Sequence, residues 1–570
     1  KLSEDGTVSL AQWRPNEDGT LLAYSISRGG SDWNEIFVRD VDSGKDLHDH
    51  LRWVKFSSIS WAKDGSGFYY SRYDAPEEGG TLTQTNEYQK VYFHTIGTDQ
   101  DEDALVYERP DNPRWGLVAW VSEDGDYLLI HVSDGADPNN RFFYKPLEED
   151  DAEVVELLTE ADARYSFIDN RGSTFYFRTD LDAARYRVIA IDTNQPEREN
   201  WREIIPESND QLASVSSVGG QFICRYLQDA KSAVRCFDFN GKLIRDIELP
   251  GIGSAGGFNG RSTDTFTFYV FTSFTNPGAI YKLDLDSGES TLHRQPDVDF
   301  NPDAYTTTQA FVTSKDGTKV PIFIVHKNDI ELDGSHRTLL YGYGGFNISL
   351  TPSFSISRTV WLERGGIFVM ANLRGGGEYG RDWHRAGTGL EKQNVFDDFI
   401  AVSEWLIDKG YTSPPNLAIQ GGSNGGLLVG AAINQRPELY GAALPSVGVM
   451  DMLRFHKFTI GWAWERDYGS PDDPEEFKAL LAYSPYHNLQ PGIRYPATLI
   501  TTADHDDRVV PAHSFKYAAR IQEYQAEDGP PVLIRIETSA GHGSGTALDK
   551  VIEKTADEWA FLEAVLGNKE

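Results

Sequence analysis

Two kinds of hydrophobic patterning divide this chain. Through residues 1 to about 300, short runs alternate apolar and polar side chains and are separated by turn signals, the mark of half-buried strands. Similar units recur: Trp13…Asp18-Gly19-Thr20-Leu21-Leu22-Ala23-Tyr24, Trp61…Asp64-Gly65…Phe68-Tyr69-Tyr70 and Trp120…Asp124-Gly125-Asp126-Tyr127-Leu128-Leu129-Ile130. Asn170-Arg171-Gly172, Gly219-Gly220 and Asn259-Gly260 open three more. The turn glycines at 19, 65, 125, 172, 220 and 260 lie 46, 60, 47, 48 and 40 residues apart. A period of this size with several strands per unit predicts β-propeller blades rather than stacked β-sandwiches. The longest interval holds the polar stretch Glu77 to Glu87, read as an insertion. Asp40-Val41-Asp42-Ser43-Gly44 and Asp284-Leu285-Asp286-Ser287-Gly288 fit repeated outer hairpins.

After Asn301-Pro302-Asp303 the pattern changes. Continuous apolar runs over Val320 to Val325, Thr338 to Tyr343, Ile367 to Leu373, Leu417 to Gln420, Ala442 to Val447, Ala497 to Thr502 and Val532 to Glu537 predict buried strands. Helical patterns fall between them: Val395 to Lys409, Leu427 to Ile433, Ala512 to Gln525 and Ala547 to Leu566. This alternation predicts a mostly parallel, doubly wound sheet covered by helices. The expected domains are residues 1–302, a propeller, and 303–570, the α/β unit.

Composition narrows the function. With 87 acidic against 53 basic residues the formal net charge is −34, which argues against a nucleic-acid partner because phosphate contacts need basic patches. No apolar run reaches the length of about 18 residues that a membrane helix needs. The opening residues Lys1 to Gly6 carry no apolar core of a signal peptide. Two cysteines, Cys224 and Cys236, exclude a disulfide framework and read as reduced thiols. A cytoplasmic monomer is expected, with the periplasm or secretion as alternatives.

The chemistry begins at Gly421-Gly422-Ser423-Asn424-Gly425-Gly426. A predicted strand precedes it and a predicted buried helix follows, the context of the G-x-S-x-G nucleophile elbow of α/β-hydrolases. There the acid and the histidine follow the serine in chain order, on loops at the carboxyl ends of later strands. The run ending Thr502-Ala503 opens into Asp504-His505-Asp506-Asp507-Arg508-Val509-Val510-Pro511, and the next strand opens into Ser539-Ala540-Gly541-His542-Gly543-Ser544-Gly545. His542 is favoured as base over His505, beside the acid candidates, and His513, at a helix start. Asp504, Asp506 and Asp507 stay open as the acid. A metal site from Asp504, His505 and Asp507 is disfavoured for want of a second ligand cluster. Arg374-Gly375-Gly376-Gly377-Glu378-Tyr379-Gly380 holds G-x-G-x-x-G, but more loop glycines follow, so a tight-turning loop is preferred to a dinucleotide site.

Gly421 to Gly426, Tyr341-Gly342-Tyr343-Gly344-Gly345-Phe346-Asn347, Asp504 to Pro511 and Phe455-His456-Lys457…Gly461-Trp462-Ala463-Trp464 together resemble the prolyl oligopeptidase family. Related families that share the architecture fit poorly around Trp464. The resemblance implies Ser423 as nucleophile, Asp506 as acid and His542 as base, with an oxyanion hole from the Asn424 amide and the Tyr343 hydroxyl. It implies Trp464 against a substrate proline ring, Phe346, Val449, Tyr468 and Val509 around that pocket, Arg508 on a substrate carbonyl, and Phe56 and Arg141 reaching in from the propeller. No cofactor or metal is implied. The family pattern has seven blades and an N-terminal segment of the catalytic domain, against six units here. The chain is therefore expected to begin inside the propeller pattern, about a hundred residues short by typical blade and domain sizes.

The expected activity is that of a serine endopeptidase cutting short peptides after proline through an acyl-enzyme, with the propeller excluding folded proteins. The alternatives are a peptide macrocyclase, an oligopeptidase or esterase of the same fold, and a non-catalytic peptide-binding scaffold.

Overall fold

The computed structural model describes residues 3–4, 6–77, 79–82, 84–148, 151–543 and 546–566. Ser544 and Gly545 of the histidine loop, and part of the 77–87 insertion, lie outside them. Among the described residues, six four-stranded antiparallel sheets follow one another along residues 8–294, each with its strands in chain order. The repeated glycines occupy one equivalent place, the turn between the first and second strands of every sheet. Gly19 and Gly125 take φ of 75° and 87°, the left-handed region that side chains disfavour. In three sheets the aspartate before the glycine accepts the amide two residues on, Thr20 to Asp18, Ser66 to Asp64 and Asp126 to Asp124, which closes the turn locally.

Each sheet buries its faces against its neighbours. Ala23, Ile36 and Val38 of the first pack on Phe68 and Tyr70 of the second, and similar apolar layers join each later pair. The 77–87 stretch falls between the second and third strands of the second sheet. Both cysteines are free and buried. Ile223 is the register partner of Cys236, so Cys224 is one residue out of step and points to the other face.

Residues 305–537 form one eight-stranded sheet: β1 Tyr305–Thr313, β2 Lys319–Lys327, β3 Thr338–Tyr341, β4 Ile367–Ala371, β5 Leu417–Gly422, β6 Ala442–Ser446, β7 Ala497–Ala503 and β8 Val532–Glu537. Their spatial order is β1-β2-β4-β3-β5-β6-β7-β8. The first two join antiparallel, and β4 through β8 run parallel. Alternate residues feed two cores. Leu340, Ile419 and Ile500 face helices α2 (Gln393–Asp408) and α3 (Asn424–Gln435). Leu339, Ala418 and Leu499 face α1 (Ile356–Glu363) and α4 (Leu548–Leu566). Residues 424–433 of α3 are buried, as an apolar helix packed under the middle of the sheet, on β5 and β6, should be. Among the described residues no helix is long and apolar enough to cross a membrane.

Candidate active site

The elbow is built from steric limits. Ser423 sits between β5 and α3 with φ 58° and ψ −119°, a strained setting for a residue with a side chain. A Cβ on Gly421 would lie 2.3 Å from the Gly425 carbonyl oxygen, and one on Gly426 would lie 2.6 Å from the Gly448 Cα. Only glycine permits strand and helix to approach this closely. Other non-glycine residues with positive φ gather on nearby segments: Phe346, Asn347, Val447 and Ser539.

The loops after β7 and β8 meet beside this turn. The Asp506 carboxylate is fully buried; it accepts the Arg508 and Val509 amides at 3.1 and 2.9 Å and contacts His542 Nδ1 at 2.7 Å. The neighbouring carboxylates go elsewhere. Asp504 pairs with the exposed His505 at 2.6 Å. Asp507 meets Lys55, Ser31 and the Asp32 amide, all from the propeller. His513 is buried, accepts the Asp451 amide, and is pushed down to about 4 by burial. Tyr343, on the loop after β3, meets the Ser423 hydroxyl, and burial pushes its phenol up to about 12, so it remains a protonated donor at neutral pH.

A cavity of about 310 Å³ lies between the domains, lined by Phe346, Trp464 and Arg508 on one side and Phe56, Tyr73 and Arg114 on the other. Phe346 meets Tyr468 edge to face at 5.3 Å, and Trp464 stacks on Phe455 at 6.2 Å. Val449, Tyr468 and Val509 are buried in the apolar layer behind Phe346 and Trp464. Arg508 makes a two-pronged ion pair with Asp32 of the first blade, at 2.7 and 3.1 Å. Arg141 lies elsewhere: it donates to the Thr159 carbonyl and stacks on Trp115. Its place on this cavity is taken by Arg114, which the sequence did not single out. Asp32 and Lys55 were likewise unmarked, because nothing local separates them from surface charges.

Family comparisons fit this geometry. Residues 1–296 match the model of the prolyl oligopeptidase N-terminal beta-propeller domain, and residues 352–569 match that of the prolyl oligopeptidase family. This chain belongs to the prolyl oligopeptidase family. It is a serine peptidase of the α/β-hydrolase and β-propeller type. It is 45% identical to the prolyl endopeptidase of Elizabethkingia miricola over 570 residues, all of this chain and 80% of that protein. It is 38% identical to the dual function macrocyclase-peptidase POPB of Galerina marginata, over 99% of this chain and 80% of that one. A structure from a study of two prolyl endopeptidases and their inter-domain dynamics matches at TM-score 0.93 and 43% identity, covering 99% of this chain and 83% of its own.

The Arg374–Gly380 loop belongs to this frame. Arg374 is buried and forked onto Asp398, and the Gly375 carbonyl accepts the Asn347 amide. The loop thus backs the segment that carries Tyr343 and Phe346.

Proposed function

We propose that this chain hydrolyses short peptides on the carboxyl side of proline through an acyl-enzyme on Ser423. The observation that carries the reading is the strained Ser423 elbow in the same domain as the Asp506–His542 contact and a cavity walled by Trp464 and Phe346. His542 accepts the Ser423 proton as Oγ attacks the carbonyl carbon, and Asp506 holds the imidazolium that forms. The oxyanion receives the Asn424 amide and the Tyr343 hydroxyl. His542 then protonates the departing amine, and water releases the acyl group by the same steps in reverse.

Trp464 lies against the proline ring, where a flat indole gives large contact at little entropic cost. Phe346, Val449, Tyr468 and Val509 shape that pocket. Arg508 reaches a substrate carbonyl, with Phe56 and Arg114 contributing from the propeller. We set the domain boundary at residue 302, a reading supported by the last propeller strand ending at Arg294 and β1 beginning at Tyr305. The enzyme works as a monomer without a nucleic-acid partner, and the net charge of −34 supports the second point.

The test is turnover of a Gly-Pro-linked reporter and its Gly-Ala counterpart by the wild type and Ser423→Ala. Cleavage of the prolyl reporter that disappears in the variant supports the reading; equal turnover by both proteins overturns it. Because relatives named as macrocyclase-peptidases align over nearly the whole chain, the products of a longer peptide should be weighed for cyclised species. Their appearance would assign acyl transfer to an amine as a second outcome of the same acyl-enzyme.

A further inference from the structure

A buried cation lies beneath the site. Lys392, at the start of α2, is 1% exposed. Its ammonium donates to the Gly344 carbonyl at 3.0 Å and to Asn424 Oδ1 at 3.2 Å, and stands 3.6 Å from Asp467 Oδ2. Each of these partners is covalently next to, or part of, a group assigned above to the oxyanion or the proline pocket. Gly344 follows Tyr343. Asn424 supplies the second oxyanion donor through its backbone amide. Asp467 accepts the Phe346 amide at 3.0 Å, is held by His384 at 2.8 Å, and precedes Tyr468.

The Asn424 side chain closes the circuit. Its Nδ2 donates to the Tyr343 carbonyl at 2.6 Å, while its Oδ1 also accepts the Tyr468 hydroxyl at 3.0 Å. Packing leaves no slack, since a Cβ on Gly345 would lie 2.7 Å from Asn424 Nδ2. A buried ammonium carries a desolvation cost, and here burial lowers the Lys392 pKa while Asp467 opposes the shift. A methionine of similar shape would fill the same space but withdraw the cation from the buried Asp467 carboxylate and the donor from the Gly344 carbonyl, so the charge serves those groups and not packing alone.

We propose that Lys392 is a positioning residue that fixes the two oxyanion donors, Tyr343 and Asn424, relative to Ser423 and to each other. It does not touch substrate. Its hydrogen bonds hold the loop after β3 against the start of α3, so the donors are set before the oxyanion forms. Donors fixed in advance matter more to the tetrahedral state than to the bound substrate. The role rests on the prolyl-peptidase reading.

The experiment compares two inhibitors that share one peptide. A peptidyl-prolinal forms a hemiacetal with Ser423: the Oγ–carbon bond forms as His542 takes the Oγ proton, the carbonyl π pair moves to oxygen, and that oxygen enters the oxyanion site. The matching peptidyl-pyrrolidide lacks the aldehyde and reports the proline pocket alone. In Lys392→Met, kcat and prolinal affinity should both fall about 10- to 100-fold, below the effect of deleting a donor outright, while pyrrolidide affinity stays within about twofold. Equal weakening of both inhibitors, or no change in either, overturns the proposal. Asn424→Ala keeps the backbone donor and the Lys392–Asp467 pair but removes the link, so it should repeat the pattern. It decides the matter if Lys392→Met does not fold. A wild type that neither cleaves the prolyl reporter nor binds the prolinal would instead refute the prolyl-peptidase reading.

Discussion

The propeller and the catalytic domain each set a histidine against a buried aspartate, yet the two arrangements differ in what surrounds them. In the propeller, His94 is fully enclosed, with Asp103 on Nδ1 at 2.7 Å and Asp49 on Nε2 at 2.9 Å. Both ring nitrogens are used, so nothing is left for a reactant. In the catalytic domain, Asp506 meets His542 at Nδ1, and the ring is partly exposed in a cavity lined by Val447, Thr502 and Gly541. A His–Asp contact is thus no signature of catalysis. Among the described residues His542 has one carboxylate partner where His94 has two, and the catalytic domain also carries the strained Ser423.

Breaking the catalytic pair should have the largest effect. Asp506→Asn is expected to lower kcat by about 10⁴, as loss of the correct tautomer does in serine peptidases, with the fold retained by circular dichroism. The proline pocket comes next: Trp464→Ala should cut the preference for proline over alanine about tenfold or more, measured as the ratio of kcat/KM for paired reporters. An unchanged ratio would remove the indole from the specificity account.

The propeller pair should answer in stability instead. Burial works against charge on His94, but the bonds to Asp103 and Asp49 overcome it and raise the group to about 9. Its contribution is therefore complete below pH 6.5 and is lost as pH rises through about 9. His94→Gln should cost about 3 kcal/mol at neutral pH, as when a buried pair is broken, leave kcat unchanged, and show its deficit shrinking in melts above pH 9. A fall in kcat matching that of Asp506→Asn would erase the contrast between the domains.

The smallest effect concerns Glu378. Burial pushes its carboxyl up to about 7, so its protonated form stabilises the fold below pH 4.5 and that contribution is lost as pH rises to about 7. The stability difference between wild type and Glu378→Gln should move toward the variant by about 2 kcal/mol over this range, read from paired melts. No relative shift would place the carboxylate in a wetter setting.

Much of this was legible in the sequence for physical reasons. The repeat glycines mark one turn per blade because each hairpin needs the same backbone, and the strand, G-x-S-x-G, helix sequence forces an elbow. The strands of the parallel sheet were read closely, since burial on both faces writes continuous apolar runs. Strand β1 was missed: Tyr305–Thr313 is threonine-rich and only half-buried at the sheet edge. Helix α1 was missed because Ser-Arg-Thr-Val-Trp carries little helical propensity and is held by packing of Trp361 and Leu362. Lys392 and Asp32 were illegible because their roles depend on segments far away in the chain. Local sequence could not choose among Asp504, Asp506 and Asp507, which differ only in the partners that folding brings to them.

The central claim is a proline-directed acyl transfer at Ser423, and product mapping tests it most directly. A linear peptide with one internal proline should be incubated with the wild type and with Ser423→Ala, and the fragments weighed by mass spectrometry. The account predicts a wild-type fragment ending at that proline and intact peptide with the variant. Cleavage at other residues, or the same fragments from both proteins, would contradict it.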